Sequence, residues 1–238
     1  MSTSRPSLLH RLRRRFLLEP AGYGRPVDQA AVDGEYRSGA WAHFHQLPEL
    51  PRQSVVVGYV SQLHANPAIL DLGCGSGWFA SALDRCGFRV TGGDRDETAL
   101  QRARRHRPEM DFVHLDVELP PHPALLRRFD AVVAIDLLDH LPRPGAAIAT
   151  ALAALKPGGL FIASVPHHGY AKNLVLAVGG RLDARWEAAV DGGRLKHFSR
   201  ETLHALLRDR GLQTVQVQPI GRVPMFARAM LAAGRAPG

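Results

Sequence analysis

Residues 69–80 read Ile-Leu-Asp-Leu-Gly-Cys-Gly-Ser-Gly-Trp-Phe-Ala, an apolar strand that runs into three glycines spaced GxGxG, with an acid just ahead of them. Glycine at Gly73, Gly75 and Gly77 removes each Cβ where a strand must turn sharply into a helix, so a ligand can approach the backbone closely. The pattern implies a nucleoside-bearing ligand on a strand–loop–helix unit. It departs from the dinucleotide pattern GxGxxG, in which a pyrophosphate rests on the N-terminus of the following helix. The third glycine comes one residue early, and Asp71 would repel a pyrophosphate while attracting an ammonium. A ligand with an adenosine end and a cationic amino-acid end satisfies both features.

Downstream, strands and helices alternate. Apolar runs predict strands over 69–72, 89–92, 112–115, 130–135 and 160–165, with helices over 77–86, 97–106 and 146–155. Repeated βα units with apolar strands predict a parallel sheet with helices on both faces and right-handed crossovers. Ligands in such sheets bind beyond the carboxyl ends of the strands, where strand order reverses. The acids of this chain fall there. Asp94 ends the second strand, where a carboxylate can accept hydrogen bonds from both ribose hydroxyls. Asp96 is the better N-cap for the helix that follows. Asp116 ends the third strand and Asp136 the fourth, and Lys156-Pro-Gly-Gly-Leu160 supplies a glycine turn before the fifth.

In this order the residues resemble the class I S-adenosylmethionine-dependent methyltransferases, whose first motif reads (D/E)xGxGxG. The resemblance implies a Rossmann-like α/β fold with a seven-stranded, mostly parallel sheet whose last strand is antiparallel, and S-adenosylmethionine as cofactor. It implies Asp71 and the loop glycines Gly73, Gly75 and Gly77 at the methionine end, and Asp94 on the ribose. Asp116 would accept from the adenine amino group, and the Val117 N–H would donate to a ring nitrogen. Asp136 would face the methionine part and the transferable methyl. Asp139-His140-Leu141 echoes a Glu-His-Leu-like sequence of the family, whereas Gly93 replaces the apolar residue usual before the ribose acid. The segment 169–198, with its apolar run 174–178 and Trp186, and the Gly221-Arg-Val-Pro stretch resemble the UbiG-like ubiquinone-biosynthesis O-methyltransferases. There 169–198 would cover the substrate. Ser199, Glu201 and Thr202 suit the start of a helix over 199–210.

An activated methyl needs mainly an aligned nucleophile and exclusion of water. A phenol with a pKa near ~10 also needs a proton acceptor as it attacks. Among twelve histidines, the candidates in order are His168, His140 and His167, which follow the fifth, fourth and fifth strands. His197, in Gly193-Arg-Leu-Lys-His-Phe-Ser199, is a further histidine near the acceptor region. The implied reaction is O-methylation of a hydroxylated aromatic, quinone-precursor or lipid-like molecule. Alternatives are another natural product, RNA, or cofactor binding without turnover. Asp136-Leu-Leu-Asp replaces the Asn/Asp-Pro-Pro-aromatic sequence of base amino-group methylation, and neither cysteine suits cytosine-C5 chemistry. No ligand spacing calls for a metal.

Length sets one α/β domain over 65–238 with an N-terminal helical extension over 1–64. A net charge of +8 is compatible with a polyanionic partner, but the basic residues are nearly all arginine, with lysine only at 156, 172 and 196. Two cysteines, Cys74 and Cys86, argue against a disulfide framework and for a reducing, cytoplasmic setting. No run approaches the ~18 apolar residues of a membrane span. Leu8, Leu9, Leu12 and Phe16 share a helical face with Arg11, Arg14 and Arg15 largely off it, which suits a domain cap, peripheral membrane contact or targeting.

Overall fold

The computed structural model describes residues 52–181, 194–220, 227 and 229–238. The amphipathic stretch around Leu8–Phe16, Trp186 and the tail at 221–226 lie outside the described residues. The strands are β1 (Ala68–Leu72), β2 (Arg89–Asp94), β3 (Asp111–His114), β4 (Phe129–Ile135), β5 (Leu155–Pro166), β6 (Gln213–Ile220) and β7 (Ala229–Arg235). The helices are α1 (52–60), α2 (Trp78–Arg85), α3 (Glu97–His106), α4 (Pro144–Ala154), α5 (Tyr170–Val178) and α6 (Arg200–Asp209).

All seven strands form one sheet in the order β3-β2-β1-β4-β5-β7-β6. The β1–β5 pairs are parallel, and β7 runs antiparallel to both β5 and β6. This is the Rossmann-like α/β architecture expected from the sequence, with its antiparallel last strand. Strand order reverses between β1 and β4, so a ligand crevice opens beyond their carboxyl ends.

Side-chain alternation along β1 builds both cores. Leu70 and Leu72 join Phe161, Leu203 and Leu207 on one face, while Ile69 joins Val56, Phe79 and Leu83 on the other. Both faces are covered, which is why the central strands read as unbroken apolar runs. Asp71 shares the Ile69 face and therefore points toward α1 and α2. At the opposite end of the sheet, Asp130 accepts from the Ala68 N–H at 2.8 Å and from Lys156 Nζ at 2.7 Å. Burial alone would raise its pKa, but these donors and His64 hold it at about 2.

Local signals placed several boundaries where the sequence put them. Helix α3 spans 97–106, and Asp96 caps it by accepting from the N–H groups of Thr98 (2.8 Å) and Ala99 (3.3 Å). Ser199 and Thr202 form a reciprocal capping box at α6. Other ends move by one or two residues, and the larger shifts are in β2 and β5. Strand β2 runs two residues beyond 92, where Gly93 and Asp94 still pair with Val113 and His114 of β3 and the Phe112 and Leu115 side chains close over Gly92 and Gly93. Strand β5 begins at Leu155, which pairs with Phe129 before a register shift absorbs the glycine turn, with Gly158 at φ +69°.

Gly77 and Gly87 both adopt positive φ, +79° and +89°, but differ in surroundings. A Cβ at Gly77 would lie 2.8 Å from the Phe112 ring and 3.0 Å from Ala103 Cβ, whereas one at Gly87 would meet nothing within 4 Å. Gly87→Ala should cost about 1–2 kcal/mol of backbone strain alone. Gly77→Ala should cost roughly 1–3 kcal/mol more through overpacking, a difference that paired urea-unfolding curves would read.

Candidate active site

The loop after β1 is tied to the end of β2. Gly73 and Cys74 donate their N–H groups to the Gly93 carbonyl at 2.7 and 3.0 Å, and the Gly75 N–H donates to Asp94 Oδ2 at 2.8 Å. Gly73, Gly75 and Gly77 all take left-handed φ, at +77°, +52° and +79°. A Cβ at Gly75 would meet nothing within 4 Å, so the middle of the loop borders open space, while one at Gly73 would strike Leu137 at 2.7 Å. The turn after β4 thus lies against the loop.

Asp94 closes β2 half-buried, and its other oxygen accepts from the Asp96 N–H at 2.8 Å. Asp116 lies two residues beyond β3, half-buried, with Oδ1 accepting from the Glu118 N–H at 2.8 Å. The Val117 side chain is buried and its carbonyl accepts from Thr150 Oγ1 at 3.3 Å.

Asp71 sits deeper than a ligand contact at the loop's mouth would require. It is 1% exposed. Burial raises its pKa to about 7, the Ala80 N–H of α2 partly opposes this, and the charge of Asp94 adds to it. Oδ2 is buried without a hydrogen-bond partner. Such an oxygen lowers its free energy when a donor or positive charge comes near.

Asp136 follows β4 at φ +49°. Its N–H donates to the Ser164 carbonyl at 3.0 Å, Ser164 Oγ donates to Oδ1 at 3.1 Å, and Arg52 forms an ion pair with Oδ2. Arg52 and Ser164 are functional candidates that sequence reasoning missed. A signal existed: Arg52, Val56 and Val60 recur at i, i+4, i+8 and are all buried, so the arginine extends an apolar helix face.

The histidines separate. His168 is buried, and its Nε2 lies 3.3 Å from Nδ1 of the exposed His197, with ring centroids 4.5 Å apart. His167 is half-buried. His140, with its side chain 38% exposed, lies 3.6 Å from Asp139. Asp139 is buried against the largely covered Arg194 side chain, with Nε 3.2 Å from Oδ2. Burial, with repulsion from Asp136, holds the Asp139 carboxyl above the usual range.

The comparisons with known proteins agree with this geometry. A family model described as a methyltransferase domain matches residues 35–217. The chain belongs to the class I S-adenosylmethionine-dependent methyltransferases. It is 30% identical over 227 residues to a ubiquinone biosynthesis O-methyltransferase of Xylella fastidiosa, covering 90% of this chain and 92% of that protein. A second such enzyme, from Alkalilimnicola ehrlichii, is 31% identical over 159 residues, 60% of this chain and 63% of that protein, just under two thirds of its length. The fold matches a Haloferax volcanii methyltransferase solved with its Trm112 activator (TM-score 0.63, 19% identity, 87% and 96% covered). It also matches a Burkholderia thailandensis 1,6-didemethyltoxoflavin N1-methyltransferase solved with S-adenosylhomocysteine (TM-score 0.58, 21% identity, 88% and 87% covered). This methyltransferase is an enzyme that uses S-adenosylmethionine, and its residues fit that group: an open glycine cradle, half-buried acids at the ends of β2 and β3, and an unsatisfied buried carboxylate oxygen.

The raised pKa of Asp71 fixes a pH dependence. Below about pH 4 the group is protonated in both folded and unfolded chains. Between about pH 4 and 7 only the unfolded chain ionises it, so stability falls as pH rises, by roughly 4 kcal/mol across the window. Asp71→Asn keeps an acceptor for the Ala80 N–H and should flatten the stability–pH curve there, as measured by chemical denaturation at a series of pH values.

Proposed function

We propose that the enzyme methylates the hydroxyl oxygen of an aromatic, quinone-precursor or lipid-like acceptor. The observation that carries this reading is a buried imidazole, His168, two residues beyond β5 at the carboxyl end of the sheet. A phenolic acceptor needs a proton acceptor at that place. The naming of relatives at about 30% identity as O-methyltransferases supports the same reaction. His140 and His167 are the next candidates for the base.

Bound S-adenosylmethionine supplies a methyl already activated by its sulfonium. The chain's task is to hold and align it. Asp94 takes the ribose hydroxyls through the lone pairs left beside its two backbone bonds. Asp116 and the Val117 N–H take the adenine edge. The loop from Gly73 to Gly77 receives the methionine end, with Asp71 acting from beneath as a buried charge on the ammonium. Arg52 lies where a carboxylate can share its guanidinium with Asp136, which is therefore held rather than free to roam toward the methyl.

An apolar acceptor is supported by α5. Tyr170, Leu174 and Val178, at i, i+4 and i+8, are 84, 65 and 83% exposed, an apolar ridge next to the site and suited to a greasy substrate or a membrane surface. Among the described residues no helix is long and apolar enough to cross a membrane. Nucleic acid is the weaker reading, resting on net charge alone.

Purified enzyme supplied with S-adenosylmethionine and hydroxylated benzoates, with and without a polyprenyl tail, should release S-adenosylhomocysteine with the tailed substrates. Methylation of bulk tRNA in their place would overturn the assignment.

Cofactor binding should also carry a proton signature. A cationic ligand favours ionised Asp71, so affinity should rise as pH rises toward about 7 and level off above it, with proton release below. Calorimetry in two buffers of different ionisation enthalpy reads that release. Asp71→Asn should abolish it and weaken binding by about tenfold, the equivalent of about 1.4 kcal/mol.

A further inference from the structure

Helix α6 leads through residues 210–212 into β6, and with so short a turn the two lie side by side and run antiparallel. Among the described residues β6 pairs with β7 alone, so its outer side has no neighbouring strand. Alternate residues of such an edge turn their N–H and C=O groups outward. A groove of about 700 Å³ runs along it. Val215 and Val217 form its floor, Tyr59 of α1 lies on the far rim, and α6 is the near wall. The rim is tied down, because Tyr59 Oη donates to Gln216 Oε1 at 3.3 Å.

The wall carries a cationic row. Arg200, His204 and Arg208 stand at i, i+4 and i+8 and all line the groove. Four residues of α-helix advance about 6 Å, and alternate side chains of an extended strand, which share one face, advance about 6.6 Å. The row therefore keeps step with every second residue of a strand laid beside β6. Two acids lie close by. Glu201 also lines the groove, but its Oε2 accepts from Ser199 Oγ at 2.9 Å. Asp209 accepts from Arg208 Nη2 at 3.0 Å in an exposed pair, which water and salt weaken.

We propose that this edge docks an extended acidic segment of a partner protein, which adds a strand to β6 and sets carboxylates at alternate positions against Arg200, His204 and Arg208. The site is separate from the methyl-transfer crevice and does not rest on the acceptor proposed above. Backbone bonds to β6 hold the segment, and the spacing of its acids selects it. The net charge of +8 favours an acidic partner. The register slips between Gln213 and Gln216, with Thr214 at φ +49°, and Pro219 has no N–H to give. Pairing is thereby confined to a short run around residues 215–218. A second copy joined edge to edge would set two arginine rows against each other. Nucleic acid would satisfy the arginines with phosphates but has no alternating N–H and C=O edge to offer β6.

The test uses the full chain and two fluorescein-labelled heptapeptides, Thr-Glu-Val-Glu-Val-Glu-Thr and an isomer with its three glutamates adjacent. By anisotropy the alternating peptide should bind, and the isomer should bind at least about tenfold more weakly. Arg200→Glu combined with Arg208→Glu, both at exposed positions, should weaken the alternating peptide by about 10- to 100-fold while S-adenosylmethionine affinity is unchanged. Hydrogen exchange of the amides at 215–218 should slow when the peptide is bound. No binding of the alternating peptide, equal affinity for the two isomers, unchanged affinity in the double variant or no added protection at 215–218 would each overturn the proposal. So would a poly(U) RNA that binds in place of either peptide and is lost in the double variant, or a chain that sediments as a dimer with 215–218 already protected.

Discussion

The tie between the glycine loop and the end of β2 is the constraint on which the site depends. Three consecutive N–H groups, those of Gly73, Cys74 and Gly75, turn away from the strand ladder and are satisfied by the Gly93 carbonyl and the Asp94 carboxylate. Unpaired backbone donors at that depth would each cost a desolvation penalty. Satisfying them demands left-handed backbone at three positions, and only glycine adopts it without strain. The same bonds hold the Asp94 carboxylate where we propose the ribose binds. A single acid therefore shapes the cradle and lines it.

What the sequence made legible was local. The glycine spacing, the Asp96 cap and the Ser199 box are each settled within a few residues, and the structure has them where the pattern put them. Contacts that join distant stretches left fainter traces. Arg52 meets Asp136 across 84 residues, and His168 meets His197 across 29. The helical spacing of Arg52 with Val56 and Val60 was there to be read, but it had no means of naming the arginine's partner. Asp71 shows a third limit. Its face follows from alternation along β1, whereas its depth follows from how α2 packs over the strand, which one strand's pattern does not encode.

The site concentrates charge where apolar packing would be more stable. The side chains of Arg52, Asp71, Asp139 and Arg194 are all largely covered, and each is costly to desolvate. Three of them belong to two neighbouring arrangements, and Asp71 stands apart under the loop. Arg52 with Asp136 and Ser164 braces the crevice from the α1 side, and Asp139 with Arg194 holds the segment 194–199 that leads into α6. Residues before β1 and residues after β5 thus reach the same turn after β4, which is held by segments outside the repeating βα units.

The placement of β7 has a consequence in time. It lies between β5 and β6, antiparallel to both, so β6 pairs with nothing in the sheet until β7 has arrived. Helix α6 and β6 are made earlier along the chain and must wait, with Leu203 and Leu207 uncovered on that side. The parallel half from β3 to β5 has no such dependence. Closure of long-range strand pairs is slow because loop entropy is lost before the contacts form. Pairing in this sheet therefore closes one strand in from its edge: β6 is secured only when the second-to-last position in space is filled by the last strand in sequence.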